Sequence, residues 1–203
     1  MKIKHATLLL LFLMLQTVAF MQLLPQTYQL DTKKSKILWN TGKLMGGHHG
    51  YLLFNSGSLQ YSAGGEPLKG YFNMDMNSIR STDNEKETAR NRVDADLRKE
   101  DFFASDQYPA AVMNVKNITR IGSSANYKVA GDLTIKGITN PIEFVATITT
   151  KDNSTHITAN VDIPRQLWKI HSKPQPITSD FLTGIKEKLV PDIHVSLDLV
   201  LSK

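Results

Sequence analysis

Residues 192–199 place Ile193, Val195, Leu197 and Leu199 at every second position, with Asp192, His194, Ser196 and Asp198 between them. Successive side chains of a strand point to opposite faces, so this segment has one apolar face and one polar face. The pattern recurs. In 156–163, Ile157, Ala159, Val161 and Ile163 stand against His156, Thr158, Asn160 and Asp162. In 127–136, Tyr127, Val129, Gly131, Leu133 and Ile135 stand opposite Lys128, Ala130, Asp132, Thr134 and Lys136. Segments 35–41, 49–56, 70–77, 111–118 and 141–150 are read as further strands, which makes eight. Breaker clusters at 55–58, 63–67, 122–126, 136–141 and 151–154 separate them.

One-sided strands must bring their apolar faces together, and a sheet closed on itself also removes its exposed edges. The expectation is an all-β, eight-stranded antiparallel barrel, wide enough inside for side chains or one small ligand. A barrel spanning an outer membrane has the opposite sense, apolar outside and polar within. Here the polar faces carry Lys, Asp, Asn and Thr, which favours an apolar interior. The faces of Val129, Leu133 and Ile135, of Ile142, Phe144, Ala146 and Ile148, and of Val195, Leu197 and Leu199 are expected to share it.

One segment departs from the strand pattern. Thr82-Asp83-Asn84-Glu85 has the form of a capping box, and Ala89, Val93 and Leu97 recur every four residues. This predicts one helical insertion near residues 84–97. Its charged residues, Arg90, Arg92, Asp94, Arg98 and Lys99, read as a solvated face. Phe102 and Phe103, followed by Tyr108-Pro109, are expected to cap an opening of the core. Gly137, between two strand runs, is expected to hold a positive φ.

The N-terminus has a different character. Lys2, Lys4 and His5 precede an apolar run over 6–15, and small residues follow at Thr17 and Ala19. That is the pattern of a secretory leader over residues 1–19, with a mature chain starting near Phe20. The run is short for a spanning helix. The localisation implied is export. The net charge of +5 falls by two to +3 when the leader leaves, and no basic stretch calls for nucleic acid. The chain has no cysteine, which excludes disulfides, thiolate metal sites and cysteine nucleophiles together.

Catalytic signatures are absent: there is no Gly-x-Ser-x-Gly, His-Glu-x-x-His or phosphate loop. His48 and His49 are adjacent, so on a strand they point to opposite faces. A metal would need one of them with distant partners such as His171, His194 or Asp192. Neither catalytic residues, a metal site nor a cofactor is assigned. Arg165, near Trp168 in sequence, reads as a surface ion pair or as a polar clamp. Trp39, Phe72, Met74 and Phe144 line a pore or fill a core.

Several segments in order carry a resemblance. Tyr28-Gln29-Leu30-Asp31 with Ser35-Lys36-Ile37-Leu38-Trp39, then Gly47-His48-His49-Gly50, Met74-Asp75-Met76-Asn77-Ser78-Ile79, Asp101-Phe102-Phe103 with Tyr108-Pro109, and above all 131–139, Gly-Asp-Leu-Thr-Ile-Lys-Gly-Ile-Thr, resemble the YceI-like family. The resemblance covers residues 27–202 as one domain. After the seventh strand the family often has Arg-x-x-Trp-Gly; here Arg165 and Trp168 remain and Lys169 replaces the glycine. The resemblance implies a lipocalin-like barrel, exported to the bacterial periplasm, that holds a long-chain isoprenoid or other apolar lipid in its pore, with Arg165 as a polar clamp for the lipid headgroup. The ligand-binding residues expected on this basis are Trp39, Phe72, Met74, Val129, Leu133, Ile135, Phe144, Val161, Val195 and Leu197, with Arg165 and Trp168. Membrane contact would be transient. Two other readings stand beside a lipid carrier: a small hydrolase or metal-assisted enzyme centred on His48 and His49, and a filled barrel acting as an interaction module.

Overall fold

A computed structural model describes residues 25–41, 47–170 and 192–203. The expected leader therefore lies outside the described residues, as does His171. Among the described residues are nine strands: β1 (Gln26–Leu30), β2 (Lys36–Asn40), β3 (His49–Tyr61), β4 (Pro67–Ser81), β5 (Ala110–Arg120), β6 (Asn126–Ile135), β7 (Ile138–Lys151), β8 (Ser154–Ile163) and β9 (Ile193–Ser202). The helix α1 (Glu87–Arg98) follows β4, and a 3-10 helix, η1 (Arg165–Trp168), follows β8.

All pairings are antiparallel, and they close a ring. Strands β4 to β9 are each paired with their chain neighbours, and β3 pairs with β4. Both β1 and β2 lie between β3 and β9. β1 sits opposite 58–61 of β3 and 201–202 of β9. β2 sits opposite 49–52 of β3 and 194–198 of β9. They are two halves of one interrupted stave, so nine strands build the expected eight-stave barrel. The β1 segment is visible to sequence only through the resemblance; five residues give alternation little room.

A turn at 31–35 makes the interruption. The Asp31 carboxylate accepts the backbone N–H groups of Lys33 and Lys34 at 3.1 and 3.2 Å. Ser35 is buried, and its Oγ accepts the Val200 N–H at 2.9 Å while donating to the Val200 carbonyl at 3.3 Å. A serine side chain thus supplies the bonds that a continuous stave would have made to β9.

Apolar faces turn inward along every strand, most regularly in β8, where every second residue is buried. Three expectations are corrected. The polar cluster at 55–58 is not a turn: β3 runs through it, with a register shift between Phe54 and Ser56. Gly57 there leaves room for Phe72, whose Cδ1 lies 2.6 Å from where a Cβ would stand. The capping box does not form either. The residue before α1 is Lys86, with no side-chain cap, and Thr82 instead donates to the His49 carbonyl. Leu97 is buried and Val93 packs on the core, as the spacing requires. Asp94, read as solvated, is buried: it accepts the Ser81 N–H at 2.6 Å and faces Arg80 at 3.9 Å. Its backbone partner comes from β4, a long-range contact that helical spacing does not report.

The barrel has two distinct ends. At one, called the mouth here, lie Asn40, His49, Ser81, Ile135, Ile163 and Ile193, together with α1 and η1. At the other, the floor, Tyr61 donates or accepts hydrogen bonds with Thr150 at 2.9 Å and Thr155 at 3.0 Å, and its ring lies 4.9 Å from that of Tyr28. At the mouth, β6 and β7 are joined by the two-residue turn Lys136-Gly137, with φ of 52° and 70°. Positive φ at both positions is the hairpin geometry that matches strand twist, so the expectation for Gly137 holds.

Candidate functional site

The barrel interior contains two cavities along its axis. The upper one, at the mouth, has a volume of about 130 Å³, and the lower one, above the floor, about 70 Å³. Trp39, Leu133, Ile135, Val161 and Val195 line the upper cavity. Phe72 and Val129 line the lower. Met74, Phe144 and Leu197 belong to both walls. The structure thus brings ten of the twelve expected side chains to one continuous interior.

That interior is almost wholly apolar; among the described residues, Thr41 is the one polar side chain in either wall. Trp39 illustrates how the polarity is removed. Its indole N–H donates to the Tyr51 carbonyl at 3.1 Å, so only the ring faces the cavity. Phe102 and Phe103 close over the upper cavity with Leu97 of α1, as their place after the helix predicted. Other wall residues had the same alternation signal without being singled out. Ile37 shares the Trp39 face of β2, and Met113 shares the Ala111 face of β5.

Arg165 and Trp168 stand outside both walls. Trp168 is fully buried, and its indole N–H donates to the Leu133 carbonyl at 3.1 Å. Arg165 is 4% exposed, so it does not stand at the surface. Its Nε donates to the Ile170 carbonyl at 3.2 Å, and its guanidinium lies 5.5 Å over the Phe102 ring. Burial pushes its pKa down, and the charge of Asp192 pushes it back up. These two residues support the mouth from behind: Arg165 carries Phe102, and Trp168 pins β6.

Among the described residues, His48, His156 and His194 each pair with one carboxylate. His48 Nδ1 is hydrogen-bonded to Asp83, and the Ser81 hydroxyl donates to the same carboxylate. The serine therefore meets the acid and not the imidazole, which is not the order of a nucleophile–base relay. Burial raises the Asp83 pKa, but the hydrogen bonds from Ser81 and His48 and the imidazole charge outweigh it, and the net pKa lies below 3.8. His194 bonds Asp162 at 2.5 Å and His156 bonds Asp198 at 2.8 Å, both on the outer face of β8 and β9. Among the described residues, no three His, Asp or Glu side chains converge as metal ligands.

Comparison with solved structures shows the same fold elsewhere. BcnA of Burkholderia cenocepacia superposes with a TM-score of 0.63 at 16% identity, over 84% of this chain and 98% of that one. A polyisoprenoid-binding domain of Saccharophagus degradans superposes with a TM-score of 0.58 at 14% identity, over 86% and 97%. A Campylobacter jejuni YCEI protein gives 0.50 at 22% identity, over 68% and 74%. No curated protein sequence matches the chain. The model of the YceI-like domain, however, matches residues 28–201, nearly the whole barrel. The protein is a member of the YceI-like family.

Proposed function

We propose that the protein is an exported, periplasmic carrier that holds the long apolar chain of a lipid, first of all a polyisoprenoid, inside its barrel. The observation that carries this reading is the wall chemistry: two stacked cavities bounded, among the described residues, by apolar side chains with Thr41 as the single polar exception. Burying a methylene there is worth about 0.8 kcal/mol, so a chain gains affinity with every carbon it sinks. The family and the polyisoprenoid-binding domain among the structural neighbours agree with this ligand class. They also favour binding over catalysis, as does the serine that meets Asp83 rather than His48. Native mass spectrometry of the exported protein, with lipid extraction, tests the reading. The expected result is a protein–lipid adduct with an extractable apolar lipid. A bare mass, together with no uptake of added polyisoprenol, would overturn it. N-terminal sequencing tests export: a start near Phe20 is expected, and Met1 would refute it. The small cavity volumes favour one other reading, a filled barrel that acts through its surface, and the same bare mass would support it.

A further inference from the structure

The two cavities meet at a waist. Ile37, Met74, Met113, Phe144 and Leu197 belong to both walls. Neither compartment alone takes the full length of a long lipid chain. The upper one, at about 130 Å³, is smaller than the cavity of about 150 Å³ that accepts benzene. A chain running the depth of the pore must therefore displace side chains at the waist, and two of the five are methionines. Methionine is unbranched, with three rotatable bonds and a polarisable sulfur, and refits easily around a guest. Met113 has a specific reason to lie there. Its Cε is 2.9 Å from where a Gly131 Cβ would stand, so the missing side chain at 131 makes room for its methyl group.

The depth of the pore can be gauged from its staves. Along β6 the walls run from Ile135 in the upper cavity to Val129 in the lower. Along β9 they run from Ile193 to Leu199. Each stretch is seven residues, six steps along the strand, which at about 3.3 Å per step and the usual barrel tilt spans about 15 Å. That matches one leaflet of a bilayer whose hydrocarbon core is about 30 Å thick.

We infer that the Met74–Met113–Phe144 waist is an adjustable gate, and that the lower compartment reads the length of the bound chain. This rests on the lipid-pore reading above. A short chain stops in the upper compartment. A chain of about leaflet length parts the methionines and enters the lower one, down to the tyrosine floor. The class of ligand selected is one whose far end is apolar and whose chain spans both compartments.

The test uses saturated fatty acids from octanoic to octadecanoic as probes, titrated into three proteins. In the wild type, affinity should climb steeply with length, up to about fourfold per methylene, until the lower compartment is filled. Ala146 lines only the lower cavity and Ala111 only the upper. Ala146→Leu should leave short chains bound as before and flatten the climb for long ones. Ala111→Leu should weaken every length. If Ala111→Leu weakens binding but Ala146→Leu keeps the wild-type profile, the gate is overturned and the pore reading survives. No binding of any probe to the wild type overturns both. Should Ala146→Leu fail to fold, Phe144→Leu, which thins the waist, provides the second variant. Long-chain affinity should then rise relative to short, and an unchanged ratio overturns the gate.

Discussion

Trp168 and Leu133 are joined by a hydrogen bond from the indole N–H to a strand carbonyl, 3.1 Å long and fully enclosed. The Leu133 side chain faces the upper cavity while its carbonyl holds η1 in place. Trp168→Phe keeps most of the ring volume and leaves that carbonyl without its partner. Urea denaturation should show a loss of about 1–3 kcal/mol. Trp168→Ala should lose about 3–5 kcal/mol, because it also opens a void. Equal stabilities for wild type and Trp168→Phe would show that the bond contributes nothing.

Ser35 repairs the interrupted stave through its two bonds to Val200. Ser35→Ala strands a buried N–H on β9 and should lower stability by about 1–3 kcal/mol. Ser35→Thr keeps the oxygen and tests whether the site tolerates a methyl. Hydrogen exchange at the Val200 amide should quicken in the alanine variant; an unchanged rate would mean that another acceptor takes its place.

Two left-handed residues at the mouth give opposite forecasts. Gly137 has φ of 70°, and a Cβ there would stand 2.9 Å from the Tyr108 ring. Gly137→Val should cost about 1–3 kcal/mol. Lys169 holds φ of 51° with a side chain, at the position where the family often places glycine. Lys169→Gly relieves that strain and should raise stability by up to about 1 kcal/mol, net of the glycine's extra chain entropy. A lower melting temperature for Lys169→Gly would contradict this.

The difference between what the sequence reports and what it hides is local against long-range. Alternation in 127–136 and 192–199 depends on nothing outside each strand, so the barrel and most of its wall could be read directly. The β3 run through 55–58 could not. Its polar residues look like a turn, and only Phe72 of the neighbouring strand shows why Gly57 lies within a strand. Asp94 and Asp83 escaped for a similar reason: their partners, Ser81 and His48, come from the end of β4 and the start of β3. Arg165 and Trp168 were found as a motif, but their task needed Phe102 and Leu133, which lie far off in sequence.

Acid should weaken the mouth. The Asp83 pKa lies below 3.8 in the folded protein, so the carboxyl binds a proton less readily there than in the unfolded chain. Its contribution to stability is complete well above 3.8 and is lost as pH falls through the folded value. Asp83→Asn should therefore lower the denaturation midpoint at neutral pH, and the gap to wild type should close in acid. A gap independent of pH would show that the charge on Asp83 is irrelevant.

A charge in the wall should abolish lipid uptake before it abolishes the fold. Leu133 and Phe144 line the cavities, whereas the Thr134 hydroxyl is bonded to that of Thr139 across the hairpin at 2.8 Å. Leu133→Lys and Phe144→Glu place a charge against apolar walls at a cost of several kcal/mol, softened for lysine if its stem reaches the mouth. Lipid recovered per folded protein should fall in both and hold in Thr134→Lys. Equal recovery from all three would exclude a lipid pore on this face.

The broken first stave also fixes where residues 26 and 202 lie. Gln29 pairs with Ser202, and Gln26 lies further along, opposite Tyr61, so residues 26 and 202 are neighbours beside the floor. The mouth, with α1 and η1, is at the opposite pole. Any tether fused ahead of residue 25 or behind residue 203 would thus hold the barrel by its base, its opening turned away from the anchoring surface. A short linker from residue 203 to residue 25 would join two adjacent strands and free the cut site to be placed elsewhere on the ring.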